Sequence, residues 1–288
     1  MIEQRDRHTG VVAAPRFRSD GHRIRTAIGS TGLIGLGGVV LSALGPRRRA
    51  RHWAERRWAA MTRRFLRLRV DVSGLEHIDP TQQYVVVPLH EGFVDAVLLL
   101  GLPLDLRFTV RDELFEWRHL GRYLRRTGQV VIPTGSSVAA LRHLYGEAET
   151  TFDRGESLVV FPQGSILGIE TAFQRGAFRV AERFGRPLLP VVITGTHLVW
   201  EHPYSPRLRY GQSVSLRVLE PIAAASVAGR ARQIEREMKS VALGTGMAPV
   251  RRFVPASDGW WDGYAYEIDP DYPELAAAVA TRRETSSE

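Results

Sequence analysis

The stretch YVVVPLHEGFVD, residues 84–95, decides how the rest of the chain is interpreted. An apolar, β-branched run ends at Pro88, and His90 follows two positions later. Asp95 comes five positions after that histidine, where a second apolar run begins. On a regular helix this spacing would turn the two side chains about 140° apart. They can meet if residues 90–94 form a turn and the aspartate lies near a helix start, which is a favoured place for an acidic residue.

The pair His90 and Asp95 predicts a base that activates a hydroxyl group. A carboxylate bonded to one imidazole nitrogen fixes the tautomer and leaves the other nitrogen free to accept a proton. The alternative is a solvated histidine beside a helix cap, because aspartate is a common cap residue. The motifs further along the chain favour the base.

From about residue 70 onwards the chain alternates short apolar segments with helical ones. The predicted strands cover residues 84–88, 106–110, 129–132, 157–161, 188–193 and 214–219. The predicted helices cover residues 95–101, 114–126, 137–153, 173–184 and 226–242. Unbroken apolar strands that alternate with helices predict an α/β fold, with a mostly parallel sheet flanked by helices.

The chain divides into four predicted parts. Residues 1–24 form a polar, arginine-rich leader, and residues 25–72 form an apolar and basic amphipathic segment that associates with a membrane. Residues 73–245 form the α/β domain, and residues 246–288 form a tail that contains Trp260, Trp261, Tyr264 and Tyr266. Such aromatic residues more often cover a core or a groove than carry out chemistry.

The positive charge lies ahead of the α/β domain. Residues 1–69 contain sixteen arginines and four acidic residues, a net charge of +12, whereas residues 70–288 carry −4. A one-signed basic block indicates an anionic partner, either nucleic acid or a membrane surface. Residues 27–45 interrupt the block with nineteen uncharged positions, and no nucleic-acid-binding motif is present, so no nucleic-acid partner is expected.

Two segments carry the predicted membrane contact. Residues 27–45 just reach the length of a bilayer span, and either insert into the membrane or form a helix buried against the domain. Residues 50–69 predict an amphipathic helix whose arginines largely occupy the faces away from an apolar stripe. That stripe consists of Ala54, Trp58, Met61, Phe65 and Leu68. It can face an anionic leaflet, which we favour, or pack on the domain.

Three further motifs follow His90 and Asp95 in order. They are the sequence FPQGS at residues 161–165, FQRGAFRVA at residues 173–181 and LPVVI at residues 189–193. With these motifs, residues 75–245 resemble the glycerophospholipid acyltransferase family, of the lysophosphatidate acyltransferase type. That family shows N-H-x4-D, F-P-E-G-T-R-S, F-K-x-G-A and a V-P-V strand, in this order and at similar separations.

The resemblance implies roles for particular residues. His90 would be the general base and Asp95 its orienting partner, and a lysolipid hydroxyl would attack an acyl thioester directly. The absence of cysteine agrees with a reaction that forms no thioester with the enzyme. The implied substrate-binding residues are Phe161, Pro162, Gln163, Gly164, Ser165 and Arg175. Backbone N–H groups near Gly164, together with Arg175, would hold an anion or a developing oxyanion.

The resemblance also implies the partners and the location. The acyl donor would be acyl-CoA or acyl carrier protein, the acceptor a membrane lipid, and no cofactor or metal ion would be needed. The expected location is the cytoplasmic face of the cell membrane, either peripheral or with one N-terminal helix inserted. The sequence does not predict an oligomeric state.

The sequence departs from the family motifs in several places. Leu89 stands where asparagine is usual, Gln163 replaces glutamate, and Ile166 replaces an arginine. The segment 130–134 also lacks the basic residue with which a further family motif ends. Because arginines bind phosphate strongly, we expect an acceptor whose phosphate is masked or absent. The same departures leave open a catalytically silent lipid-binding or scaffolding protein on this fold.

Overall fold

Most of the α/β domain is described by the structure, a computed structural model. The described residues are 4–5, 12–13, 48–92, 94–133, 137–164, 171–199, 209–244, 269–271, 273 and 277. The apolar segment 27–45 and the tail residues Trp260, Trp261, Tyr264 and Tyr266 lie outside them. No helix within these described ranges combines the length and the apolarity needed to cross a bilayer.

The described strands form two sheets. A short antiparallel pair comprises β1 (Gln4–Arg5) and β2 (Val12–Ala13). The main sheet comprises β3 (Arg69–Ser73), β4 (Val85–Pro88), β5 (Leu106–Arg111), β6 (Val130–Ile132), β7 (Ser157–Val159), β8 (Leu188–Thr194) and β9 (Ser213–Val218). All six predicted strands are therefore confirmed within one or two residues, and β3 is additional.

Eight α-helices connect or follow these strands in the described part of the chain. They are α1 (Arg48–Phe65), α2 (Asp95–Leu99), α3 (Asp112–Phe115), α4 (Arg118–Thr127), α5 (Ser137–Asp153), α6 (Gly176–Phe184), α7 (Thr196–Val199) and α8 (Ala231–Gly244). Two 3₁₀ turns cover Leu75–His77 and Ala224–Ser226. The helix predicted at 114–126 is thus two helices, α3 and α4, and the one predicted at 226–242 begins later, at Ala231.

The main sheet is mostly parallel, as predicted. Its strand order is β3-β9-β8-β4-β7-β5-β6, so β4 lies at the centre. Every neighbouring pair is parallel except β8 and β9, which are antiparallel. Parallel strands need long crossover connections, and the helices between them supply these.

Both faces of the sheet are covered by apolar packing. On one face, Val86 of β4 lies among buried residues from α1 and α2. On the other face, Val85 and Val87 lie among buried residues from α5, α6 and α8. Alternate residues of a strand point to opposite faces, so a strand buried on both sides must be apolar at every position. This explains the unbroken run of valines in β4.

The folded domain extends further towards the N-terminus than residue 73, the boundary expected from the sequence. Strand β3 pairs along its length with β9, and Ala59 of α1 and Leu66, directly after this helix, are fully buried in the core. Truncation at residue 69 would therefore remove core residues together with the basic segment.

The predicted apolar stripe of residues 50–69 is divided between core and solvent. Ala54 is buried, and Trp58 and Leu68 pack partly on the core. Met61 and Phe65 are instead 69% and 51% exposed. The helix α1 therefore packs on the domain and also presents apolar side chains outwards.

A buried polar cluster holds α1 against the domain near the amino-terminal ends of the parallel strands. His90 follows the opposite, carboxyl-terminal end of β4. Arg51 donates to the backbone oxygen of Thr127 at 2.7 Å and forms an ion pair with Glu156, just before β7. His52 lies between Glu156, at 2.8 Å, and Glu55, at 3.1 Å. These contacts specify how α1 sits on the domain.

The ionisation of this cluster follows from its contacts. Burial alone would lower the pKa of His52, but hydrogen bonds to Glu156 and Glu55 outweigh burial, so its pKa is raised above 6.5. Burial would raise the pKa of Glu156, yet the neighbouring His52 and Arg51 hold that pKa below 4.5. Both effects favour the charged forms of His52 and Glu156, and their pairing offsets part of the cost of burying two ions.

Candidate active site

The candidate site lies at the carboxyl ends of three adjacent strands. Strand β4 is flanked by β8 and β7, and all three run parallel. The turn after β4 carries His90, the turn after β7 carries the 161–164 segment, and the turn after β8 leads into α7. Ligands of open α/β sheets commonly bind outside the carboxyl ends of the strands. The fold therefore brings three separate sequence segments to one place.

His90 and Asp95 are in direct contact, as the sequence predicts. The Nδ1 of the histidine lies 2.6 Å from Oδ2 of the aspartate. Asp95 is the first residue of the short helix α2, and residues 90–94 are not helical, which is the geometry that the spacing of five requires. The imidazole is 17% exposed and the carboxylate is fully buried. The pair therefore presents an imidazole to solvent and hides its carboxylate.

The same carboxylate oxygen also organises the turn. Oδ2 of Asp95 accepts the backbone N–H groups of Glu91, at 2.7 Å, and Gly92, at 3.1 Å. The N–H of Asp95 donates in return to the Gly92 carbonyl at 3.2 Å. A carboxylate oxygen that accepts several N–H bonds is held in place. The turn therefore fixes the position of the oxygen that bonds to the imidazole.

The turn after β7 supports His90 from a second direction. Gln163 is fully buried, and its Oε1 accepts the backbone N–H of His90 at 2.6 Å. The ring of Phe161 stacks on the imidazole, with 4.1 Å between ring centroids and 31° between ring planes. Gln163 thus stabilises the histidine turn, a function that its position in the motif does not reveal.

The remaining predicted substrate-binding residues are partly placed. Pro162 is buried, and its carbonyl accepts the N–H of Gln174 at 2.7 Å, which holds the start of α6 beside this turn. Gly164 has a positive φ of 66°, and its N–H already donates to the Phe161 carbonyl at 3.1 Å.

Of the last two predicted substrate-binding residues, the structure describes one, Arg175. Arg175 directly precedes α6 and is exposed, and its guanidinium forms no hydrogen bond or ion pair with a described residue. Ser165 lies outside the described residues, as does Ile166.

Leu89, where the family has a polar residue, is fully buried on the α5, α6 and α8 face of the sheet. Its backbone N–H donates to the Val191 carbonyl at 2.8 Å, which continues the pairing of β4 with β8. The apolar residue therefore fits its surroundings without disturbing the turn that follows.

The turn after β8 contributes residues that the motifs did not indicate. Thr196 is fully buried, and its hydroxyl donates to Oδ1 of Asp95. Its backbone N–H donates to Oε2 of Glu91 at 2.9 Å. Oε1 of Glu91 lies 2.9 Å from Nδ1 of His197, although the two atoms are not aligned as a hydrogen bond. The sequence motifs did not single out Glu91 or Thr196, and a glutamate directly after His90 is a signal that could have indicated such a contact.

This arrangement is suited to proton transfer. Because a carboxylate only accepts hydrogen bonds, Nδ1 of His90 carries the proton shared with Asp95. The other ring nitrogen, Nε2, is then the proton-accepting atom. Within the described residues no three histidines, cysteines, aspartates or glutamates are grouped to hold a metal ion.

Comparisons with known proteins agree with the sequence resemblance. Residues 69–194 match the Acyltransferase family model. The chain is 29% identical over 170 residues to a 1-acyl-sn-glycerol-3-phosphate acyltransferase of Chlamydomonas reinhardtii, covering 58% of this chain and 50% of that protein. It is 27% identical over 165 residues to 1-acyl-sn-glycerol-3-phosphate acyltransferase alpha of Mus musculus, covering 54% and 55%. The chain thus spans about half the length of these relatives.

A solved structure has the same fold. The crystal structure of the 1-acyl-sn-glycerophosphate acyltransferase PlsC of Thermotoga maritima matches with a TM-score of 0.63 and 23% identity, over 80% of this chain and 97% of that one. The residues that match the family model include β4, the His90–Asp95 pair, the 161–164 turn and β8. Residues 69–194 therefore match an acyltransferase domain, on a fold shared with a 1-acyl-sn-glycerophosphate acyltransferase.

Proposed function

We propose that the protein is a membrane-associated O-acyltransferase that transfers an acyl group from acyl-CoA or acyl carrier protein to the hydroxyl of a lysolipid. The contact of 2.6 Å between Nδ1 of His90 and Oδ2 of Asp95 carries this proposal, because it orients a partly exposed imidazole as a base. The match of residues 69–194 to the Acyltransferase family model supports the reaction class. A silent lipid-binding protein would have no need of this alignment.

In the proposed reaction the acceptor hydroxyl attacks the thioester carbonyl carbon. Nε2 of His90 accepts the hydroxyl proton as the new C–O bond forms, and Asp95 stabilises the resulting imidazolium. The C–S bond then breaks, and the imidazolium returns the proton to the leaving thiolate. No acyl-enzyme is required, so the products are an ester and a free thiol.

The environment of Gln163 bears on the acceptor. Its side chain bonds to the His90 backbone, so the change from glutamate does not remove a group from an open acceptor pocket. The glutamine therefore gives no support to a masked phosphate. The relatives carry names that specify 1-acyl-sn-glycerol-3-phosphate. We therefore propose this lysophosphatidate as the acceptor, in place of the masked headgroup expected from the sequence.

The function is tested by release of free thiol from acyl-CoA or acylated carrier protein, with and without lysolipid. A thiol reagent gives a clean signal because the chain contains no cysteine. We expect release that depends on the acceptor, together with equal formation of the diacyl lipid. Lipid binding without thiol release from either donor would instead support the silent alternative.

Arg175→Ala is expected to raise KM for lysophosphatidate about tenfold while kcat changes little. The guanidinium is exposed at the start of α6 and has no partner among the described residues, so it is available for a phosphate. A charge-assisted contact to phosphate contributes about 1.5–3 kcal/mol. Steady-state kinetics with lysophosphatidate and with a headgroup-masked lysolipid would measure the effect.

Arg179→Ala is the matched control, because Arg179 is also exposed and lies one turn further along α6. Arg179→Ala should leave KM and kcat unchanged for both acceptors. If Arg175→Ala raised KM equally for both acceptors, the contact would not be specific to the phosphate monoester of lysophosphatidate. A wild-type kcat/KM that favoured the masked lysolipid tenfold would overturn lysophosphatidate as the acceptor.

The outer face of α1, formed by Trp53, Arg57, Met61, Arg64 and Phe65, supports the proposed membrane association. Trp53, Met61 and Phe65 are 65%, 69% and 51% exposed, and both arginines are exposed as well. Aromatic and apolar side chains beside arginines suit the headgroup boundary of an anionic bilayer. We propose the cytoplasmic leaflet as the site of contact, since both proposed donors are made in the cytoplasm.

Changing Trp53, Met61 and Phe65 together to glutamine is expected to weaken vesicle binding about tenfold or more. Burial of such side chains is worth about 1.5–3 kcal/mol each when it is complete. Co-sedimentation with phosphatidylcholine vesicles, with and without phosphatidylglycerol, would measure it. Val138→Gln, at an exposed position of α5, is the control. Undiminished binding by the triple variant would place the membrane contact elsewhere in the chain.

A further inference from the structure

The second oxygen of the Asp95 carboxylate has its own partner. Oδ2 accepts His90 Nδ1 and two backbone N–H groups, whereas Oδ1 accepts the hydroxyl of Thr196. Thr196 is the one partner of Oδ1 within the described residues. A carboxylate held at a single oxygen can still rotate about its Cβ–Cγ bond. A bond at each oxygen removes that freedom.

Thr196 is itself held in place. It is fully buried at the start of α7, and its backbone N–H donates to Oε2 of Glu91 at 2.9 Å. Glu91 follows His90 directly in the chain and is also fully buried. The turn after β4 and the turn after β8 (the β4 and β8 turns) are therefore joined by two hydrogen bonds. One comes from the hydroxyl of Thr196 and the other from its backbone N–H.

We propose that Thr196 is a positioning residue for the His90–Asp95 pair. Its hydroxyl fixes the plane of the Asp95 carboxylate, and that plane fixes the imidazole through Oδ2. The same hydroxyl continues to donate to Oδ1 as positive charge develops on His90, so the carboxylate keeps its orientation when its charge is most needed. Glu91 holds the backbone of Thr196 at the distance that this contact requires.

A purely structural threonine would have a different effect. Its loss would leave a buried carboxylate oxygen without a partner and so reduce stability, but the remaining folded enzyme would turn over normally. A positioning residue instead lowers kcat in the folded enzyme, because a misplacement of about 1 Å can cost about 10²-fold in rate. The kinetics of folded variants therefore separate the two roles.

The test compares three variants and rests on the proposed acyl transfer. Thr196→Val keeps the shape and removes the hydroxyl, and Thr196→Ser restores the hydroxyl. Thr194→Val is the matched control on β8, where the hydroxyl of Thr194 bonds to Oγ of Ser215 at 2.7 Å. We expect Thr196→Val to lower kcat about 10- to 10²-fold with KM within about twofold. Thr196→Ser should recover most of the rate, and Thr194→Val should retain it.

A spectroscopic measurement tests the same contact without turnover. The Nδ1 proton of an imidazole bonded to a carboxylate resonates downfield of the amide region, and its absence from His90→Ala would assign it. We expect this resonance to shift or broaden in Thr196→Val and to stay unchanged in Thr196→Ser and Thr194→Val. An unchanged resonance and kcat in folded Thr196→Val would overturn the proposal. If the wild type transferred no acyl group, the proposed function would fail, while the resonance would still decide whether Thr196 positions the pair.

Discussion

Replacing His90 with alanine is expected to lower kcat by at least 10²-fold and by up to about 10⁴-fold, the range that general-base catalysis supplies. The imidazole is partly exposed and packs on Phe161 rather than in the core, so the variant should remain folded. Acceptor-dependent thiol release measures the rate, and thermal unfolding confirms the fold. A rate loss of this size corresponds to about 3–5 kcal/mol of transition-state stabilisation.

His143→Ala is the control, because His143 is exposed on α5 and far in sequence from the pair. It should turn over as the wild type does. Asp95→Asn is expected to be severe as well, but it also alters four hydrogen bonds within a buried turn, so its loss is harder to assign. Near-wild-type turnover by folded His90→Ala would eliminate the proposed base.

Most of the main sheet is predictable because its strands are buried on both faces. Strand β4 and its neighbours are continuous apolar runs, and each is followed by a helical segment. The edge strand β3 was missed because four of its five side chains are exposed and its sequence, RVDVS, shows no buried face. An edge strand is defined by its backbone pairing, here with β9, which composition does not reveal.

The candidate site is only partly predictable, and the limit is sequence separation. His90 and Asp95 are five residues apart, so a local turn is enough to bring them together. The partner of Asp95 on the other side, Thr196, is 101 positions away and depends on the pairing of β4 with β8. Likewise, the buried amide of Gln163 reaches the His90 backbone because β4 and β7 are neighbours.

The helix α1 shows why an amphipathic pattern does not reveal what its apolar face packs against. A stripe at helical spacing indicates an apolar face, yet it does not tell whether that face meets a membrane or a core. Here the buried side also contains Arg51, His52 and Glu55, whose charges satisfy one another and Glu156. Charged residues are rarely buried unless they are paired, and the partner Glu156 lies about a hundred residues away.

Substituting Gly92 with alanine is expected to lower kcat by roughly 10²-fold, the second largest effect. A Cβ at this position would lie 2.7 Å from the carbonyl carbon of Thr196 and 2.8 Å from its oxygen. Backbone atoms cannot yield as a flexible side chain does, so the β4 and β8 turns must separate. Separation would stretch the bonds from Thr196 to Glu91 and Asp95, which join the two turns.

The experiment on Gly92→Ala measures rate and stability together. Overpacking should lower the unfolding free energy, measured in urea, by about 1–3 kcal/mol. The loss in kcat is then measured per mole of folded enzyme. Gly146→Ala is the control, since a Cβ on that glycine of α5 meets no atom within 4 Å. In a helix interior this change should add up to about 1 kcal/mol of stability and leave kcat unchanged. If Gly92→Ala kept both its rate and its stability, the two turns could not be in the close contact that aligns the His90–Asp95 pair.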